Sequence, residues 1–293
     1  MNQKTIFALG FFDGVHLGHQ TILYTCKRLA EQAGASTAAI TFEKHPQSLF
    51  KTDCPSLINT TADRCSLLRK YGMDTVLTYP VTQAVMGMPW RDFLMELYRY
   101  HGARGFVCGD DFRFGCKGEG NCKKLQEFCQ EFGLVCVVIP EQTAEGFRIS
   151  STRIRELLEN GDVAGANRLL GHPHILSGIV TKGKQLGRTL GFPTANLSFP
   201  AGVLIPKCGV YATTVTVDGK AYPAVTNIGT RPTVNGQGVN AECHLLGFAG
   251  DLYGKEISVG FYDFLRPEQK FDSLEALKVQ IAADTDRVRN SLN

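Results

Sequence analysis

The chain changes texture at Gly171-His172-Pro173, and no single architecture suits both sides of that break. Up to about residue 140, short β-branched runs alternate with helix-length amphipathic stretches, the pattern of a parallel sheet with helical crossovers. Strands are expected at Thr5–Leu9, Ser36–Phe42, Thr75–Leu77, Gly105–Cys108 and Leu134–Ile139. Helices are expected through Leu23, Lys27 and Ala30 to a stop near Gly34, over Trp90–Tyr100 behind Pro89, and over Cys122–Phe132 capped by Asn121. Two further helices, Thr152–Glu159 and Val163–Leu170, are parted by Gly161-Asp162 and lead to the break. Beyond it come short strands and turns: Gly178–Thr181, Val210–Val217 with an Asp218-Gly219 hairpin signal, Pro223–Ile228, Ala241–Leu246 and Ile257–Leu265. Closing such strands into a barrel hides their edges. Ser273–Asp284, with Leu274, Leu277 and Ile281 on one face, predicts a helix that finishes the fold.

Two modules also suit the length, since 293 residues exceed one typical core of about 150. A net charge of +3, scattered along the chain, outlines no nucleic-acid face. The cysteines at 108, 116, 122, 129 and 136 form no C-x-x-C pair, so reduced thiols are expected rather than a metal or disulfide framework. The apolar run Ile6–Phe12 is broken by Gly10 and followed by Asp13, too short for a signal peptide or membrane span. A cytoplasmic protein without a membrane partner is the expectation.

Directly after the first strand, Gly10-Phe11-Phe12-Asp13-Gly14-Val15-His16-Leu17-Gly18-His19 delivers two imidazoles to the start of a helix. Gly14 and Gly18 allow close backbone approach to a phosphate, the helix N-terminus offers unpaired N–H groups, and His16 and His19 add donors. On the pattern alone, a pair of structurally satisfied histidines fits as well; the place at the end of strand one favours ligand binding. Asp111, Phe112 and Arg113, in Gly109-Asp110-Asp111-Phe112-Arg113-Phe114-Gly115, could stack a flat ring and hold its phosphate, or form an ordinary loop. In Ile149-Ser150-Ser151-Thr152-Arg153-Ile154-Arg155, arginines in the first turn do not help the helix dipole, which suits a bound polyphosphate.

Past the break, Gly183-Lys184-Gln185-Leu186-Gly187-Arg188-Thr189-Leu190-Gly191-Phe192-Pro193-Thr194-Ala195-Asn196 is glycine-rich but lacks a Walker pattern. Free N–H groups, a hydroxyl and an amide oxygen could serve phosphate and Mg²⁺; a plain interstrand turn is the structural alternative.

GFFDGVHLGHQ, GDDFRFG and ISSTRIR, followed by GRTLGFPTANL, NIGTRPT and AECHLLGFAGDLYGKEISVGF, resemble the bacterial bifunctional riboflavin kinase/FMN adenylyltransferase (FAD synthetase) family. The resemblance implies an α/β Rossmann-like nucleotidyltransferase domain over 1–158, a helical linker over 159–173, and a β-barrel riboflavin kinase domain with a C-terminal helix over 174–293. It implies riboflavin, FMN and ATP as substrates and Mg²⁺ as the metal. By this resemblance His16 and His19 are catalytic, and Gly10, Asp13, Gly18, Ser150, Ser151, Arg153, Gly183, Lys184, Gly187 and Arg188 hold nucleotide. Asp111, Phe112 and Arg113 contact flavin, Thr194 and Asn196 hold the metal, and Glu242 is the kinase base. His244 reads as packed or solvated. Three positions depart from the family pattern: Phe11 where asparagine is commoner, Lys44 for a proline, and Gly118 where a basic residue is frequent. A kinase alone, beside an inactive nucleotidyltransferase-like domain, is the rival reading.

Overall fold

The computed structural model describes residues 4–51, 53–144, 146–182, 191–233 and 236–292, and only the backbone over 231–233 and 236–238. The chain divides into two compact units, Met1–Leu57 with Thr61–Ser151, and Ile58–Thr60 with Thr152–Asn293.

In the first unit, β1 (Thr5–Leu9), β2 (Ser36–Phe42), β3 (Thr75–Tyr79), β4 (Ala103–Gly109) and β5 (Val135–Ile139) form one parallel sheet, ordered β3-β2-β1-β4-β5. All five residues of β1 are buried, as a central strand covered on both faces requires. The order reverses between β1 and β4, which opens a crevice at their carboxyl ends. The crossovers include α1 (Leu17–Ala33), α2 (Thr61–Lys70), α3 (Gln83–Met86), α4 (Trp90–Tyr100) and α5 (Cys122–Phe132). Helix α1 ends where Gly34 turns left-handed, and Asn121 Oδ1 caps α5 by accepting from Lys124 N at 3.0 Å. Phe7, Leu9, Ile40 and Phe106 of the sheet pack with Leu94 and Leu97 of α4 and Leu125 and Phe128 of α5. Helix α2 was not expected, because Asp63 and Arg64 are buried with Leu67 and Leu68 and the inward face therefore carries charge. A small hairpin, β6 (Thr143–Ala144) with β7 (Phe147–Arg148), precedes α6 (Ser151–Asn160), which starts at the division between the units.

In the second unit, α7 (Val163–Leu170) is capped by Asp162 Oδ1, which accepts from Gly165 N at 2.8 Å. It lies on the barrel: Asn167 Nδ2 donates to Phe261 O at 2.8 Å and its Oδ1 accepts from His174 N at 2.7 Å. The stretch 159–173 is thus part of a compact body. The strands β8 (His174–Thr181), β9 (Ala195–Ser198), β10 (Gly209–Val217), β11 (Lys220–Thr233), β12 (Gly236–Leu245) and β13 (Glu256–Arg266) close a barrel in the order β10-β11-β12-β9-β8-β13. Asp218 and Gly219, both left-handed, make the two-residue turn between β10 and β11 that the sequence signals. Inside, Thr213 and Thr226 hydroxyls meet at 2.7 Å, and Thr226 Oγ1 donates to Cys243 Sγ at 3.2 Å, so buried polar groups satisfy one another. Helix α8 (Leu274–Leu292) runs past the expected end at Asp284, and its Val288 joins Val210, Ala212 and Val225 in a separate cluster on the outside of the barrel. All ten cysteines are free thiols.

Candidate active sites

The turn after β1 is built from backbone conformations that most residues avoid. Phe12, Gly14 and Val15 have φ of 58°, 83° and 43°, and strain concentrated in so few residues is characteristic of ligand-gripping turns. It delivers His16 as the N-cap of α1, with Nδ1 accepting from His19 N at 3.3 Å. Since Nδ1 accepts, the neutral ring carries its proton on Nε2 and can donate there. The His16 and His19 rings stack at 3.6 Å and 15°. A Cβ on Gly18 would stand 3.3 Å from the His16 ring, so glycine gives the ring its room. His19 Nδ1 is enclosed and has no hydrogen-bond partner among the described residues. Burial, then the charges of His16 and Arg64, hold the His19 pKa well below its usual value, so this imidazole is neutral near pH 7.

Arg64 was not singled out from the sequence. It is wholly buried, stacks 4.7 Å over the Phe11 ring and donates Nη2 to Phe42 O. Burial lowers its pKa while the Asp13 carboxylate acts in the opposite sense. Phe11 thus supports a buried cation, and no sequence pattern marks an arginine used in this way. Ser151 Oγ donates to Asp13 O at 2.9 Å and ties the ISSTR stretch to the turn after β1. Arg153 belongs to the second unit, where it pairs with Glu156 at 3.0 Å.

Gly10 also borders a cavity of about 580 Å³ whose wall includes Phe42, Phe93, Phe112, Arg113 and Phe114. Phe112 and Phe114 stack at 5.4 Å, forming an aromatic wall suited to a flat ring. Asp111 is turned to a different task and pairs with Arg148 of β7 at 2.8 Å.

In the barrel, β12 sets Glu242 in register with Asn196 on β9 and with Asn227 on β11, so the carboxylate is flanked by amides on both neighbouring strands. Glu242 lines a cavity of about 360 Å³ with Thr194, Asn227, His244 and residues of α8. His244 Nδ1 lies 2.9 Å from Pro193 O, and its ring meets Phe192 edge-on at 5.4 Å, so this histidine is a packed wall residue. Asn240 Nδ2 donates to Asn196 Oδ1 at 3.2 Å and so helps to position that amide. A second cavity of about 670 Å³, bordered by Pro193, Phe248, Leu252 and Tyr253, shares Thr194 with the first. The Phe248–Tyr253 wall carried no assignment in the sequence, because its chemistry is apolar contact and lacks a diagnostic motif. Gly183, Lys184, Gly187 and Arg188 lie outside the described residues.

The residues fit Mg²⁺ of the kind that arrives with a nucleotide. Thr194 and Asn196 offer one hydroxyl and one amide oxygen, and Mg²⁺ commonly takes only one or two protein oxygens beside phosphates and water. Among the described residues no cluster of three or more His, Cys, Asp or Glu side chains suits a metal, and no helix is long and apolar enough to cross a membrane.

Comparison with known proteins covers both units. An FAD synthetase family model matches residues 1–153 and a riboflavin kinase model residues 170–292. Bifunctional riboflavin kinase/FMN adenylyltransferases are 39% identical in Escherichia coli K12, over 95% of this chain and 90% of that protein, and 37% identical in Pseudomonas fluorescens, over 97% and 92%. A Streptococcus pneumoniae crystal structure titled a macrolide-efflux protein shares the fold at a TM-score of 0.87 and 29% identity, over 99% of this chain and 95% of that one. With both catalytic modules matched in order and full-length relatives above 30% identity, the chain belongs to the bifunctional riboflavin kinase/FMN adenylyltransferase family.

Proposed function

We propose that this chain phosphorylates riboflavin with ATP and then adenylylates the FMN with a second ATP, releasing pyrophosphate, through the residues assigned below. The observation that carries the kinase assignment is the placement of Glu242 between Asn196 and Asn227, on the wall of a cavity that shares Thr194 with a larger one. Riboflavin occupies the smaller cavity under α8, and ATP the larger. Glu242 accepts the proton of the riboflavin 5′-hydroxyl, whose oxygen attacks the γ-phosphorus as ADP leaves. Thr194 and Asn196 hold the phosphates together with Mg²⁺, which would offset their charge. Gly183, Lys184, Gly187 and Arg188 are assigned to the same nucleotide.

In the first unit, Gly10, Asp13, Gly18, Ser150 and Ser151 grip the second ATP, and Arg153 is assigned to it as well. FMN lies against Phe112 and Arg113, with Asp111 holding the loop through Arg148. An FMN phosphate oxygen attacks the α-phosphorus in line. His16 donates Nε2–H to the charge that grows on the phosphoryl oxygen, and neutral His19 supports it by stacking. Pyrophosphate is a good leaving group, so no acid or covalent intermediate is required and positioning supplies most of the catalysis. We assign residues 1–158 to adenylylation, 159–173 to a helical connection, 174–293 to phosphorylation, and the protein to the cytoplasm.

A chromatographic time course with riboflavin, ATP and Mg²⁺, repeated from FMN, tests this reading. FMN should appear first and FAD after it. A reaction that stops at FMN and leaves supplied FMN untouched would reduce the first unit to a scaffold.

A further inference from the structure

Lys117 and Gly118 have φ of 51° and 67° and are the central residues of a turn closed by Glu119 N donating to Cys116 O at 3.1 Å. That is type I′ geometry, where asparagine, aspartate or glycine usually stands in the first central place. A lysine there loses backbone stability because its Cβ crowds the following carbonyl. Nothing in the turn compensates, since Lys117 makes no hydrogen bond or ion pair with the described residues. Nor can the turn relax: Cys116 N donates to Met88 O at 2.7 Å, Phe114 and Gly120 exchange backbone bonds at 3.2 and 2.8 Å, and Trp90 N donates to Glu119 Oε1 at 3.3 Å. A strained residue held this firmly points to a use for its side chain.

Lys117 belongs to the wall of the cavity lined by Phe112 and Phe114. That wall is apolar and aromatic apart from a few polar side chains; among the described residues its charged groups are Arg113 and Lys117, with no carboxylate. Arg113 likewise has no hydrogen-bond or ion-pair partner among the described residues. A neutral isoalloxazine satisfies the aromatic lining and makes no use of the two cations, which are exposed. A phosphate monoester, with a charge of about −1.5 to −2 at pH 7, answers both. We propose that Lys117, with Arg113, holds the phosphate of FMN and so makes the adenylylating site choose FMN over riboflavin. This rests on reading the cavity as the flavin site of that reaction.

The test compares Lys117→Gly, Lys117→Arg and Phe112→Ala in the full-length enzyme. Three quantities are read: KM for FMN in FAD formation, competitive inhibition of that reaction by lumiflavin, which has the ring but no phosphate, and the thermal midpoint. Lys117→Gly should raise KM for FMN about tenfold, the loss expected for one charge-assisted hydrogen bond. Its lumiflavin inhibition, thermal midpoint and riboflavin phosphorylation should hold, because glycine accepts the left-handed turn. Lys117→Arg should keep KM near the original. An unchanged KM in Lys117→Gly, or one that rises in step with the lumiflavin constant, overturns the assignment. Phe112→Ala separates the layers. If it raises both flavin constants while Lys117→Gly changes nothing, the cavity reading stands and the lysine assignment falls; if neither variant moves either constant, the cavity reading falls first.

Discussion

His174 is wholly buried at the start of β8, with neither ring nitrogen partnered among the described residues and the Phe261 ring 5.6 Å away. Burial, and secondarily the charge of His172, push its pKa down to about 3. The unfolded chain takes up this proton below about pH 6.5, while the folded one refuses it until near pH 3. Stability is therefore full above pH 6.5 and lost as pH falls through that window, by at most about 1.4 kcal/mol per pH unit from this group. Urea midpoints of the wild type and His174→Leu between pH 4 and 7 check it: the variant should show the shallower slope, and parallel slopes would refute the burial account. From sequence His174 was only a residue beside a break. His16 and His19 stood out because their chemistry is local to a motif and Glu242 entered through the family resemblance, whereas the states of His174 and Arg64 are created by burial among residues distant in the chain.

The last helix was legible for a different reason. Leu274, Leu277 and Ile281 repeat at helical spacing, and Ser273 Oγ caps the first turn by accepting from Ala276 N at 3.1 Å. What fixes α8 to the barrel was not legible, because Arg266 at the end of β13 reaches across 18 residues to Asp284, with Nη2 2.8 Å and Nε 3.0 Å from Oδ2. Asp284 is 1% exposed and Arg266 16%. Asp284→Ala should cost about 3 kcal/mol, the low end of the range for a broken buried pair because Arg266 keeps some water. Since Asp284, Leu277 and Ile281 also line the cavity with Glu242, KM for riboflavin should rise as well. Chemical unfolding and kinase assays read the two effects. The strands show the same limit. Thr5–Leu9 and Ser36–Phe42 were found with their bounds, while β9, four residues behind Pro193, forms through pairing with β8 and β12 rather than through a pattern of its own.

Across the whole molecule, two chemistries with separate sites should be separable by single changes. Glu242→Gln should abolish FMN formation by a factor of about 10² or more while supplied FMN still becomes FAD. His16→Ala should do the reverse. Mixed together with riboflavin and ATP, the two variants should restore FAD synthesis, because FMN made by one can reach the other through solution. Chromatography of the mixture decides, and absence of FAD there would mean that FMN passes between sites without release. The two-part architecture was legible in the change of texture at Gly171-His172-Pro173, since alternation and barrel patterns impose different periods. That the preceding helices would join the second body was not, because helical periodicity says nothing of which neighbour receives the apolar face.

Thr194 belongs to the walls of both barrel cavities. An inhibitor that joined a flavin-like head to an adenosine-like tail across this shared wall would bind its second half as an intramolecular event, at an effective concentration in the millimolar range for a short tether. Resistance would be hard to acquire at that point: on the assignment proposed above, any side chain that blocked the tether would also stand where riboflavin and ATP meet.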